Sequence, residues 1–100
     1  MNSEQLVRKL NSVGKMAFVE NYETFRRFAE GNITRESAIE ILVSAGVSNE
    51  SGAAIRLGNA YQIFSVNKQK EALEMVCESR RIPGRSVAEA ERILQYLQGG

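Results

Sequence analysis

Histidine and aspartate are both missing from this chain, which also holds a single cysteine and a single proline. Each absence closes a class of chemistry. Without histidine, neither Ser-His-Asp nor Cys-His catalysis has its base within the chain. The Glu-x-x-His pairs of helix-borne di-iron sites cannot be written, and one cysteine builds no Cys/His zinc site. All twelve acidic residues are glutamate. A lysine nucleophile or a glutamate base remains as raw material, but no glycine-rich phosphate loop accompanies one. The expectation is a protein that is not an enzyme and uses no metal and no cofactor.

The lone cysteine also excludes an internal disulfide and fits a reducing, cytoplasmic compartment. No apolar run approaches the roughly 18 residues of a membrane helix, so no membrane partner is expected. The opening "MNSEQLVRKL" sets charges inside its first apolar segment, unlike a secretory leader. No low-complexity run occurs.

What is present is ordinary globular material, with 43% hydrophobic and 25% charged residues in a chain of 100. That is the size of one domain, here residues 1–100, able to bury roughly 60–70% of its unfolded surface.

The apolar residues recur with helical period nearly throughout. Leu6, Leu10 and Val13 mark a first helix, capped at Asn2 or Ser3 and loosened at Gly14. Phe18, Tyr22, Phe25, Phe28 and Ala29 mark a second, which stops at Glu30-Gly31-Asn32. Thr34 caps a third, with Ile33 stapled to Ala38 and a buried face of Ala38, Ile41, Leu42 and Ala45. Gly46 ends it, and Val47 folds back on Leu42. A fourth helix starts at Ser48 or Asn49 and carries Ala53, Ala54, Leu57, Ala60, Tyr61 and Phe64. Asn67 caps a fifth, with Ala72, Leu73, Val76 and Cys77 inward. Ser86 and Glu89 form a Ser-x-x-Glu capping box for the last helix, whose stripe is Ala90, Ile93, Leu94 and Leu97. Strand alternation is sustained nowhere. The predicted fold is all-α, a compact bundle of five or six short helices with a helix-turn-helix-like corner at about 34–64.

That corner raises a functional question. In "LVSAGVSNESGAAIRLGNAY" a capped helix, a Gly46-Val47-Ser48 step and a new helix follow one another. The step resembles the turn of many bacterial and phage repressors, which implies that the second helix enters a DNA major groove. The chain departs from that pattern at two packing positions, Leu42 and Gly52. Asn49, Ser51, Arg56 and Asn59 would face the bases, although Glu50 among them repels phosphate. The other reading is a plain corner between packed helices.

Charge is uneven. Residues 51–86 carry a net +3, whereas the first fifty and the last fourteen each carry −1, leaving +1 overall. The densest basic cluster is "SRRIPGRS", where Arg80, Arg81 and Arg85 surround Pro83-Gly84. Beside a helix start they would make a phosphate contact; alternatively they pair with Glu78 or Glu89 in a solvated loop. The near-neutral total is unlike the strongly basic footprint of a dedicated nucleic-acid binder.

Smaller features have structural readings beside functional ones. "FRRF" at 25–28 is either an aromatic and arginine stacking surface or two core phenylalanines with a wet side. Cys77, without a histidine neighbour, reads as a small hydrophobe. Gly52, Ala53, Gly58 and Ala60 would let another helix approach closely.

A second organisation competes. "SAIEILVS" at 37–44 and "EALEMVCE" at 71–78 align at an offset of 34 residues, the period of tetratricopeptide-type helical hairpins. Two functions follow. The first, favoured because the glycine turn and the positive centre fall on one contiguous segment, is a small DNA-associated regulator using the fourth helix and the basic loop on duplex DNA. The other is a protein-interaction module of stacked hairpins, such as a subunit, inhibitor or adaptor. Ile39, Ile55, Ile63 and Ile82 would be left over for its patch, which equally suits a homodimer.

Overall fold

In the computed structural model, which describes residues 1–99, the chain forms seven helices and no strand among the described residues. They are α1 (Ser3–Val13), α2 (Lys15–Glu20), α3 (Tyr22–Ala29), α4 (Arg35–Ser44), α5 (Glu50–Ser65), α6 (Gln69–Glu78) and α7 (Gly84–Gly99). The all-α bundle is as expected, and the count exceeds the expected five or six. The added helix comes from the aromatic segment, which breaks at Asn21. Its backbone turns to φ −116° and ψ 21°, and its side-chain amide donates to the Ala17 carbonyl at 3.2 Å. An asparagine that satisfies itself locally competes with the helix around it.

The starts and stops are chemically explicit. At α1, Asn2 and Gln5 exchange side-chain and backbone hydrogen bonds in a capping box, with Asn2 Oδ1 accepting from the Gln5 N–H at 2.8 Å. Thr34 caps α4 and Asn49 caps α5 by the side chain alone, accepting from the Ser37 and Gly52 N–H groups. Three helices end on a left-handed residue: Gly31 after α3, Gly46 after α4 and Asn67 after α5. In each case the next residue's N–H donates back to a carbonyl in the last turn: Asn32 to Arg27, Val47 to Leu42, Lys68 to Ile63. This closes carbonyls that a helix end leaves open.

Two expected caps are corrected. Asn67 stops α5 rather than starting α6; its φ of 60° belongs to the stop, and its Oδ1 accepts from the Gln69 side chain. Ser86 does not cap α7, which begins earlier, at Gly84. The Ser86 and Val87 N–H groups donate to the Pro83 carbonyl. Ser86 is therefore buried inside the first turn, and Glu89 turns to Arg92 instead.

One apolar core joins the helices, with Phe18, Phe25, Leu10, Leu42, Leu57, Ile63 and Leu73 among its fully buried members. Phe18 is its aromatic hub, with ring centroids 5.8 Å from Tyr22, 6.2 Å from Phe25 and 5.9 Å from Phe64. The radius of gyration is 12.6 Å, close to the ~13 Å of 100 close-packed residues. α5 is the central element, packed most extensively on α1 and also on α3 and α4. α7 lies on α6 and α2. Thus α4–α5 and α6–α7 are both hairpins, but α5 gives its broad face to α1 and meets α6 only narrowly. No helix is long and apolar enough to cross a membrane among the described residues.

Candidate functional site

α5 carries four of the residues that sequence points to, and most of their polar groups are engaged by their own helix. Asn49 Oδ1 accepts from the Gly52 N–H at 2.8 Å. Arg56 Nη1 donates to the Gly52 carbonyl at 3.1 Å, and Asn59 Nδ2 donates to the Ile55 carbonyl at 2.9 Å. The structure thus brings Asn49 and Arg56 together on the backbone of one residue, Gly52, the first at its N–H and the second at its carbonyl. Ser51 alone projects freely, on the exposed first turn. The outward stripe of α5 is Ser51, Ile55, Gly58 and Gln62. It bears no charge; the one cation of the helix, Arg56, is half-buried beside it, so α5 offers phosphate little charge.

Arg80 and Arg81 lie elsewhere, on the connection between α6 and α7, with Arg85 in the first turn of α7, and all three are exposed. The ion pairs among the described residues are Arg8–Glu4, Arg26–Glu23, Arg26–Glu30 and Arg92–Glu89. None involves Arg80, Arg81 or Arg85, so the expected pairing with Glu78 or Glu89 is not made. The same pairs neutralise the cations of a groove of about 470 Å³ between α3 and α7, lined by Arg26, Arg92, Tyr22 and Tyr96. The guanidinium of Arg26 holds the Glu23 carboxyl below its ordinary range, and that of Arg92 does the same to Glu89. Burial pushes the Tyr22 hydroxyl up to about 12. Burial, with Glu91, Glu74 and Glu78 nearby, also raises the Cys77 thiol, which favours the unreactive protonated form.

α4 carries an open apolar surface that periodicity does not single out. Only Ala38, Ile39 and Leu42 of its ten residues are buried. Ile41 and Ala45, expected inside, are exposed, because α4 stands at the bundle edge against α3 and α5 alone. Ile41 is 40% and Val43 39% exposed. Of the four isoleucines expected to be left over, Ile39 and Ile63 are buried, Ile82 is half-buried and Ile55 is 62% exposed. The available signal was the run Ile39, Ile41, Leu42, Val43, which is too apolar for one buried stripe.

Beside α4 runs a groove of about 590 Å³ toward the start of α5. Ile39 and Val43 line it with Glu36, Glu40, Glu50 and Arg35. Its three carboxylates take part in none of the ion pairs above. A surface of this composition can accept an apolar side chain flanked by cations.

Comparison of the chain with protein-family models, with curated proteins and with solved structures finds no match in any of the three.

Proposed function

We propose that this chain is a protein-interaction module that docks its partner across the outer side of α4. The observation that carries this reading is the exposure of Ile41 and Val43, which open on opposite flanks of α4: Val43 into the groove that it lines with Ile39, and Ile41 beside Ser37, Glu40 and Ser44. Covering each would stabilise a complex by roughly 1 kcal/mol, since about two fifths of a large apolar side chain leaves water. Binding of this kind tolerates salt and fails when the apolar contact is broken. The test is crosslinking capture with wild type and with Ile41→Glu/Val43→Glu, at low and high salt. The expected result is a partner retained at high salt by wild type and lost by the variant, with an unchanged helical spectrum. Identical captured proteins for the two chains would refute the proposal.

A second reading is contact with duplex DNA. It is favoured by one observation: Arg80, Arg81 and Arg85 are exposed, unpaired among the described residues, and flank the start of a 16-residue helix. Titration with mixed-sequence duplex at two ionic strengths separates the readings. Binding that falls steeply with salt and is lost in Arg80→Ala/Arg81→Ala supports DNA; no binding supports the interaction module. The uncharged stripe of α5 favours the latter.

A further inference from the structure

We infer that the groove beside α4 takes the 79–83 loop of a second copy of this chain, together with Arg85 in the turn that follows, so that molecules associate head to tail. The inference rests on the interaction reading and names its partner. The two surfaces are complementary in charge. The groove pairs an apolar lining, Ile39 and Val43, with the carboxylates of Glu36, Glu40 and Glu50, which outnumber its one cation, Arg35. The loop is its counterpart: Pro83 is exposed at its tip, with Arg80, Arg81 and Arg85 around it. Both sets of charges lack partners within the chain, among the described residues. At about 590 Å³ the groove falls in the range of sites that enclose a ligand of several groups, ~300–1,000 Å³. The α3–α7 groove offers no such match, because its charges already pair with one another.

The loop cannot reach the groove of its own molecule. α4 packs on α3 and α5, whereas the loop joins α6 to α7, and α7 packs on α6 and α2. Docking is therefore between copies, and it joins two different patches. Such heterologous contacts propagate into rings or open chains rather than stopping at a symmetric pair. Exposed ion pairs of this kind are individually weak and screened by salt. The association should accordingly appear at high protein concentration and weaken as ionic strength rises without being lost, since the apolar contact of Pro83 with Ile39 and Val43 tolerates salt.

Sedimentation velocity on the full chain, from about 10 µM to about 1 mM, covers the range in which such a weak contact populates. Wild type is expected to grow beyond a monomer as concentration rises, and less so at about 0.5 M salt than at about 0.05 M. Glu40→Arg spoils the groove and leaves the loop; Arg81→Glu spoils the loop and leaves the groove. Each alone should weaken association at least tenfold. Mixed in equal amounts, each variant's loop meets the other's groove with opposite charge, so alternating copies should grow together. Glu40→Arg/Arg81→Glu in one chain should grow again. The inference is overturned if wild type stays monomeric throughout, if the single variants associate like wild type, or if their mixture forms nothing. In those cases the capture experiment decides separately about α4. If Ile41→Glu/Val43→Glu still loses another protein, the interaction reading stands with a different partner; if it loses none, both fall.

Discussion

Gly52 and Gly58 lie six residues apart on α5, and replacing each by alanine should move stability in opposite directions. Alanine favours a helix over glycine by roughly 1 kcal/mol at an interior position. At Gly58 nothing stands within 4 Å of an added Cβ, so Gly58→Ala should realise about 0.5–1 kcal/mol of that gain. At Gly52 the added Cβ would overlap the Ser48 hydroxyl and lie 2.8 Å from Ser48 Cβ. A rotamer change moves the hydroxyl. It does not move Cβ, so the turn before α5 must retreat by several tenths of an ångström. The Arg56 guanidinium, 3.1 Å from the same point, must shift too. Overpacking of this kind costs about 1–3 kcal/mol, more than propensity returns. The two variants should therefore differ by roughly 2 kcal/mol, which at a urea slope of about 1–2 kcal/mol/M separates their midpoints by ~1–2 M. Urea titrations followed by circular dichroism measure this directly. A Gly52→Ala protein as stable as Gly58→Ala would refute the steric reasoning. The close neighbour at Gly52 is the Ser48 side chain of the preceding turn, and Gly58 has no close neighbour at all, so neither glycine serves to admit another helix.

Phe18→Ala removes the ring that contacts Tyr22, Phe25 and Phe64. It should cost about 3–5 kcal/mol in the same titration; a loss under about 1 kcal/mol would mean the site collapses or was never tightly packed. At Asn67, with φ of 60°, glycine should be neutral or stabilising and alanine destabilising by roughly 1 kcal/mol, and thermal melts of the two variants give the order. Tyr22 sets an alkaline limit. Its hydroxyl ionises near 10 in the unfolded chain and near 12 when folded, so the unfolded state releases its proton first and stability falls as pH rises between those values. The two-unit gap is worth on the order of 2–3 kcal/mol. Tyr22→Phe should flatten that fall in urea midpoints measured from pH 9 to 12, and an unchanged slope would count against it.

Punctuation was the most legible part of the sequence. Thr34, Asn49, Gly31 and Gly46 act where side-chain chemistry says they should, because a cap or a left-handed stop depends on one residue and its immediate backbone. Misreadings arose where a local motif competes with its surroundings. Ser86 and Glu89 have the spacing of a capping box, yet Pro83 starts the helix early and carries the serine into the core. Asn67 can cap a following helix or stop a preceding one, and only the packing of α5 decides. The inner face of α4 was misjudged at Ile41 and Ala45 because periodicity reveals that a helix has an apolar side, not how many neighbours will cover it. For the site, the basic loop at 80–85 was visible as composition. The engagement of Asn49, Arg56 and Asn59 by their own helix was not, since it depends on which rotamers the neighbouring turns leave open.

The extensive packing of α1 on α5 bears on synthesis. About 50 residues must be made after α1 before its principal partner is complete, an interval of roughly 3–10 s at a translation rate of about 5–20 residues per second. Through that interval Leu6, Leu10 and Val13 lack their principal cover, with only the short α2 to shield part of them, which makes this segment a natural client for chaperones.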